Sequence, residues 1–512
     1  MFEVSFLIGI DLGTSGVKTV LFDESGKPVA SSTVEYPLYQ PNLGWAEQDP
    51  EDWWKGTCES INNVMLKSGV DKREVKGIGL SGQMHGAVLL DKEDKVLRKA
   101  IIWCDQRSAA ECDQITQLIG KERLIEITAN PALTGFTASK IMWVKNNEPQ
   151  IFEKIAKILL PKDYIRLKLT GEYATEVSDA SGMQLMNIAK RQWSSEVLGK
   201  LEISESMLGK MYESQDVTGK VTASAAALTG LNVGTIVVGG AGDQAAGAVG
   251  NGIVKSGVVS STIGTSGVVF AYTDKLTIDP LGRVHTFCHA VPNTYHVMGV
   301  TQGAGLSLKW FRDNFCMEEI MTSELSNIDV YKLLDAEAEN IKPCSDGLIY
   351  LPYLMGERTP HLDPNAKGVF FGLTAKHTKA HFVRSIMEGV TFSLRDCLEI
   401  IKGMGVEVSE VRASGGGGKS GVWRQMQADV FGTNINRIAS DEGGALGVAI
   451  LAGVGAGIYD SVPQACQDVI KVKDSLPPLE DRISKYDDFY KLYTKLYKSL
   501  KGDFTQLNSI LK

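Results

Sequence analysis

The sequence predicts an α/β protein of two similar halves that face a shared cleft. Three observations lead there. The chain has 512 residues, several times what one ordinary core needs, so at least two domains are expected. The pentapeptide GTSGV occurs twice, at Gly13–Val17 and Gly264–Val268, close to half a chain apart. Each copy stands between strand-like apolar runs: FLIGIDL and VKTVLFD flank the first, VVSSTI and VVFAY the second.

Composition narrows the class. Apolar residues make up 43% and charged residues 22%, the balance of a folded chain rather than a disordered one. The net charge of −8, with no run of five like charges, argues against nucleic acid as a partner. The longest uncharged stretch, Val284–Leu308, holds three histidines, a proline and an asparagine, too many polar groups for lipid. The N-terminal MFEVSFLIGIDLG lacks the basic start of a secretory signal. The eight cysteines include no CxxC pair and read as reduced thiols. A cytoplasmic location is expected, with no membrane partner.

Each GTSGV reads as the tip of a β-hairpin, where glycine allows unusual dihedrals and Thr/Ser hydroxyls stand beside free backbone N–H groups. Such a tip suits a phosphate. Asp11 ends the strand before the first tip, where a carboxylate beside phosphate oxygens calls for a cation such as Mg²⁺. Lys18, on the exiting strand, can neutralise phosphate charge or stand as a solvated edge lysine.

Later, Val406–Arg412 reads as a strand, Ser414 and Gly415–Gly418 as a glycine tract, and Val422–Phe431 as a helix. A P-loop ending on Gly418-Lys419-Ser420 would need glycine at 413, which is Ala413, so that pattern fails. The tract still permits close backbone approach to a base or ribose. Thr235–Gly239 reads as a buried strand that delivers Asp243 to a strand-to-helix turn before the helix Ala245–Val249. There the helix end would favour its ionised form, as a base for a hydroxyl proton requires; a simple N-cap is the bland reading. His85 and Met84, at the end of the strand Val75–Leu80, suit a sugar as hydrogen-bond donor and apolar wall, or a satisfied core histidine with its neighbour. His285 and His289, either side of Cys288, lack the further ligands a metal centre needs. Ile483, Tyr486, Tyr490, Tyr493, Tyr497 and Leu500 step by 3 and 4, as on a packed helix face.

IGIDLGTSGVK (8–18), SGQMHG (81–86), WCDQR (103–107), GAGDQAAGAVGNG (240–252), IGTSG (263–267) and SGGGGKS (414–420) together resemble the FGGY carbohydrate kinases of the actin/Hsp70-like ATPase superfamily. The resemblance runs from about residue 8 to about residue 455. WAEQDPEDWW (45–54), LLPKDYIRLKLTGE (159–172), TEVSDASG (175–182), HTFCHAVP (285–292) and LPYLMGERTPHLDPNAKGVFFGL (351–373) are most similar to the branch acting on D-xylulose.

The resemblance implies two ribonuclease-H-like domains with the active site in the cleft between them. The expected boundaries are 1–248, 249–455 and a C-terminal helical segment 456–512. It implies Asp243 as catalytic base and Asp11 as the aspartate near Mg²⁺. Thr14, Ser15, Lys18, Thr265, Gly305, Gly416, Gly417 and Ser420 would hold the nucleotide; the family often has Asn where this chain has Ser420. Met84 and His85 would hold the sugar, with Trp103 and Gln244 as further walls. Glycerol kinases of similar layout carry Arg-Glu in place of Met84-His85, which disfavours glycerol. The expected partners are ATP and a small sugar, D-xylulose first, with gluconate and ribulose as alternatives; a homodimer is a candidate assembly. The alternative of another class is an actin/Hsp70-like ATPase that takes no sugar.

Overall fold

A computed structural model describes residues 5–511; the first four positions of the expected N-terminal domain and the last of the C-terminal segment lie outside it. Two seven-stranded sheets organise the chain. In the first, Phe6–Leu12, Gly16–Asp23 and Pro28–Glu35 form an antiparallel meander. Val75–Gly82 then joins Phe6–Leu12 in parallel, and Ile236–Val238 joins Val75–Gly82 in parallel. The second sheet repeats this order. Gly257–Ile263, Gly267–Thr273 and Tyr295–Thr301 form its meander. Val408–Ser414 and Ile435–Ile438 follow in parallel. The duplication read from the repeated pentapeptide is therefore a duplication of topology, the ribonuclease-H-like pattern twice.

The strands form where apolar runs predict them. Ile8, Ile10, Ile78, Val259 and Val411 are buried in the sheets, as parallel strands covered on both faces require. Helix Pro50–Ser68 starts cleanly because the Asp49 carboxylate accepts the Glu51 amide at 3.0 Å and Pro50 needs no amide partner. It ends at Gly69, whose φ of 66° suits a residue without Cβ. In the second half, Lys379–Gly403 buries Val383, Ile386, Val390 and Leu394 beneath its sheet.

Glycines bring the two halves close. Helix Gly443–Gly455, which follows the second sheet's parallel strands, packs on the first sheet, where a Cβ on Gly79 would lie 1.9 Å from the Val448 carbonyl oxygen. It also packs on helix Asp243–Gly250, where a Cβ on Gly447 would meet the Ala246 oxygen at 1.9 Å. Any larger residue at either position would push the elements apart.

The segment after Gly455 departs from the all-helical expectation. Between helices Val462–Val469 and Glu480–Ile510, the strand Val472–Leu476 adds to the second sheet beside Ile435–Ile438. Its Val-Lys-Asp-Ser-Leu alternation is short, and an edge position supplies the backbone partners that the local sequence does not advertise. The tyrosine stripe behaves as its spacing predicts: Tyr486 and Tyr493 are fully buried and Tyr497 nearly so.

Candidate active site

Both GTSGV tips are hairpin turns. In the first, the Gly13 amide donates to the Gly16 carbonyl at 3.0 Å; in the second, the Gly264 amide donates to Ser266 at the same distance. The first tip is braced by the Tyr36 hydroxyl on the Gly13 carbonyl and by Gln48 Nε2 on the Thr14 carbonyl at 2.7 Å. Trp103 Nε1 donates to Thr14 Oγ1 at 2.9 Å, so two residues expected at different ends of the site touch. Ser15 is exposed. The second tip is tied to helix Gly305–Phe315 by the Gly305 amide on the Gly264 carbonyl at 2.8 Å and the Leu306 amide on Thr265 at 3.1 Å.

The glycine tract lies against the same strand end. Val408–Ser414 runs into a helical turn, Gly415–Lys419, and a bridge joins Gly415 to Ile263. Gly415 takes a φ of +71°, and a Cβ there would lie 2.5 Å from the Ile263 carbonyl oxygen, so only glycine fits. Ser420 caps the next helix, Gly421–Phe431, by accepting the Trp423 amide at 3.0 Å. Thr265, Gly305, Gly416, Gly417 and Ser420 together line a cavity of about 390 Å³. A neighbouring cavity of about 450 Å³ is lined by Asp243, Gln244, Thr262, Ser414 and Asn251. Gly416 and Lys419 line both, so the two are continuous through the glycine tract. Lys419, discarded with the failed P-loop pattern, thus faces the site after all.

Thr14, Ser15 and Lys18 do not line these two cavities. Lys18 instead forms an ion pair with Glu442, immediately before helix Gly443–Gly455, which joins the first hairpin to the second half of the chain.

Asp243 is the first residue of its helix, with Gly242 at the N-cap, so the capping reading does not hold. Its ionisation also differs from expectation. Burial, and then the Asp11 carboxylate, push its pKa up to about 7 against hydrogen bonds from Gln244. Desolvation and a like charge outweigh the helix end here. Asp11 is itself raised by burial, against the Ser81 hydroxyl, which donates to Asp11 Oδ1 at 2.7 Å, and the charge of Lys18. The buried Asp11 carboxylate, close enough to Asp243 to raise it, is a donor suited to a divalent cation. Gly444 keeps the other side of Asp11 open: a Cβ there would stand 2.9 Å from Oδ2.

Met84 packs against the turn that carries Asp243, and His85 follows it in the chain, against Gly182 and Phe136. A Cβ on Gly242 would meet Met84 Sδ at 3.0 Å. His85 has a φ of 71° and its Nδ1 lies 2.9 Å from the Gly182 carbonyl oxygen, which can only accept. Burial, then the charge of Lys140, lowers its pKa to about 3, so the ring is neutral. Its proton is therefore spent on Gly182 and Nε2 is an acceptor, the reverse of the donor role expected for it.

Behind this turn lies a cluster that sequence reasoning missed. Lys162 is fully buried, its Nζ 2.8 Å from Asp163 and 3.4 Å from both Glu176 and Asp179. Arg166 completes the cluster by bonding Asp163 and the Gly239 carbonyl. The signal was present in LLPKDYIRLKLTGE and TEVSDASG, where charges interrupt apolar segments. The histidines near Cys288 do other work: His285 Nδ1 pairs with Asn130 Oδ1 at 2.9 Å, and His289 Nδ1 accepts the Val291 amide at 3.0 Å.

Known proteins resemble the chain over nearly its whole length. The profile of the FGGY family of carbohydrate kinases matches with its N-terminal domain over residues 6–250 and its C-terminal domain over residues 259–456. A xylulose kinase of Bacillus subtilis is 40% identical over 509 residues, 99% of this chain and 100% of that protein. A gluconokinase of Bacillus licheniformis is 33% identical over 505 residues, 98% of each chain. The crystal structure of a xyloylose kinase from Brucella ovis superposes with a TM-score of 0.89 at 38% identity, covering 97% of this chain and 99% of that one. Among the described residues no helix is long and apolar enough to cross a membrane. With both domain profiles matched in order across two sheets of the same topology, the chain belongs to the FGGY family of carbohydrate kinases.

Proposed function

We propose that the chain transfers the γ-phosphoryl group of ATP to the 5-hydroxyl of D-xylulose, giving D-xylulose 5-phosphate and ADP. The observation that carries this reading is the position of Asp243. Met84, next to His85 in the chain, packs against its turn, and the cavity Asp243 lines continues through Gly416 into the one lined by Thr265 and Ser420. A sugar hydroxyl held at Met84 and His85 would thus meet a phosphoryl donor arriving from the glycine tract.

The smaller, less polar of the two cavities, with Tyr331, Leu306 and Trp423 on its walls, suits the base and ribose. Its continuation past Lys419 suits the phosphate tail. In the transfer, the 5-oxygen forms a bond to the γ-phosphorus while the bond to the β,γ-bridging oxygen breaks, and ADP leaves with that electron pair. Asp243 accepts the hydroxyl proton, which its pKa of about 7 allows near neutrality. His85 Nε2 accepts from a sugar hydroxyl and Met84 covers an apolar edge. Thr14 and Ser15 at the first tip, and Thr265 at the second, offer hydroxyls and amides to the phosphoryl oxygens. Asp11 would hold Mg²⁺, which supplies positive charge beside those oxygens when bound.

The xylulose kinase relatives support D-xylulose, and the gluconokinase relative keeps D-gluconate as the second reading. A coupled ADP-release assay over ketopentoses, polyols and aldonates tests both. The highest kcat/KM is expected with D-xylulose. A higher value with D-gluconate or D-ribulose overturns the substrate, and full-rate ADP release without any sugar overturns the kinase reading.

A further inference from the structure

We infer that a further cavity, which shares no lining residue with the catalytic cleft, binds a phosphate group, either free or carried by a small organic molecule. It measures about 740 Å³ and lies between helix Gly421–Phe431, the 339–343 segment and the start of the C-terminal helix. Lys342, Arg384, Arg424 and Arg482 line it, against Glu339 as the acidic lining residue. Four cations facing one carboxylate is a reversal in a chain whose net charge is −8.

The arginines are anchored by carboxylates that do not line the cavity. Arg384 Nε meets Glu388 at 2.8 Å, Arg424 Nη1 pairs with Asp474, and Arg482 Nη1 lies 3.3 Å from Asp429. Arg384 has spent its fork, donating also to the Ala338 carbonyl and the Tyr486 hydroxyl. Arg424 has not: it is only 7% exposed, yet its Nε has no hydrogen-bond partner. A buried guanidinium donor without an acceptor costs stability unless a ligand supplies one. Lys342 is exposed at the rim.

The 11-residue helix Gly421–Phe431 adds to this on the same wall. Gly421 and Val422 line the cavity, and Ser420 Oγ satisfies Trp423, leaving the first amides for an anion. A Cβ on Gly421 would meet nothing within 4 Å, so the approach to those amides is open. Ile341, Pro343, Met426, Leu476 and Leu479 supply an apolar wall for a carbon skeleton. The unpartnered Arg424 Nε–H, the rim cations Lys342 and Arg482 and a helix start together select a phosphate dianion over a halide or a neutral sugar. No residue lines both this cavity and the one assigned to adenosine.

The test is isothermal titration of the full chain with its cleft saturated by Mg²⁺ and a non-hydrolysable ATP analogue. Inorganic phosphate and ribose 5-phosphate are the probes, with ribose as the control without phosphate. One site per chain is expected, weakened at least ~10-fold by Arg424→Gln and by the rim pair Arg482→Gln/Lys342→Gln, with analogue affinity unchanged. The rim pair carries the test if Arg424→Gln fails to fold. Equal affinity for the two probes identifies free phosphate as the ligand, and tighter ribose 5-phosphate an organic phosphate. Absence of binding at millimolar probe, binding of ribose alone, or affinity that the rim pair leaves unchanged overturns the site.

Discussion

The Ser178 hydroxyl accepts the Gly242 amide at 3.2 Å, one residue before Asp243. The same hydroxyl donates to Glu176 Oε1 at 3.0 Å, and Glu176 also accepts the Ser178 and Asp179 amides and the Ser214 hydroxyl. The turn that carries the proposed base is thus pinned to a buried, charged layer rather than to solvent. Ser178→Ala should leave the Gly242 amide unpaired and lower kcat by roughly 3- to 30-fold, with the KM for ATP unchanged. Steady-state kinetics with each substrate varied separately checks this split; a loss confined to the KM for ATP would contradict it.

The same layer predicts a large stability effect. Lys162 faces Asp163, Glu176 and Asp179 with no solvent to share their charge. Lys162→Met would strand these carboxylates and should cost about 3–5 kcal/mol in urea unfolding. A cost below about 1 kcal/mol would show that water or proton uptake replaces the lysine.

The acid limb of activity should follow Asp243. Its carboxyl must be ionised to take a proton, so kcat/KM for the sugar should rise with pH around the group's pKa of about 7. Stability should move oppositely. A folded pKa above the ordinary 3.8 means the folded state holds the extra proton between these values, so this contribution is complete below pH 4 and lost as pH rises through about 7. Asp243→Asn removes that dependence. Urea unfolding should find the variant more stable than the parent at pH 8, by on the order of 4 kcal/mol, and equal to it near pH 4.

The ion pair between Lys18 and Glu442 competes with the role assigned to Lys18 at the phosphates. Both side chains are partly exposed, at 38% and 21%, so the pair is weak. Glu442→Gln should release the lysine and lower the KM for ATP by up to ~5-fold, read from initial rates at saturating sugar. A raised KM would mean that Glu442 itself supports the nucleotide-binding shape.

Much of this architecture was legible in the residues. The twin tips were readable because glycine, hydroxyls and flanking apolar runs are local signals, and the strands 6–12 and 257–263 followed from the same pattern. Asp243 was readable as a residue but not as a titrating group. Its pKa depends on burial and then on Asp11, which reaches it from the strand Phe6–Leu12, and no spacing rule encodes that approach. The tautomer of His85 depends on Gly182, and the partner of Lys18 on Glu442, both far away in sequence. The strand Val472–Leu476 escaped for a related reason, since its identity comes from the edge it joins.

The most direct measurement is the turnover of Asp243→Ala with ATP, Mg²⁺ and D-xylulose, alongside a circular dichroism spectrum of the same preparation. A loss of at least ~10²-fold in kcat with the parent's spectrum is the predicted result. Near-normal turnover from a folded variant would contradict it and remove Asp243 as the base.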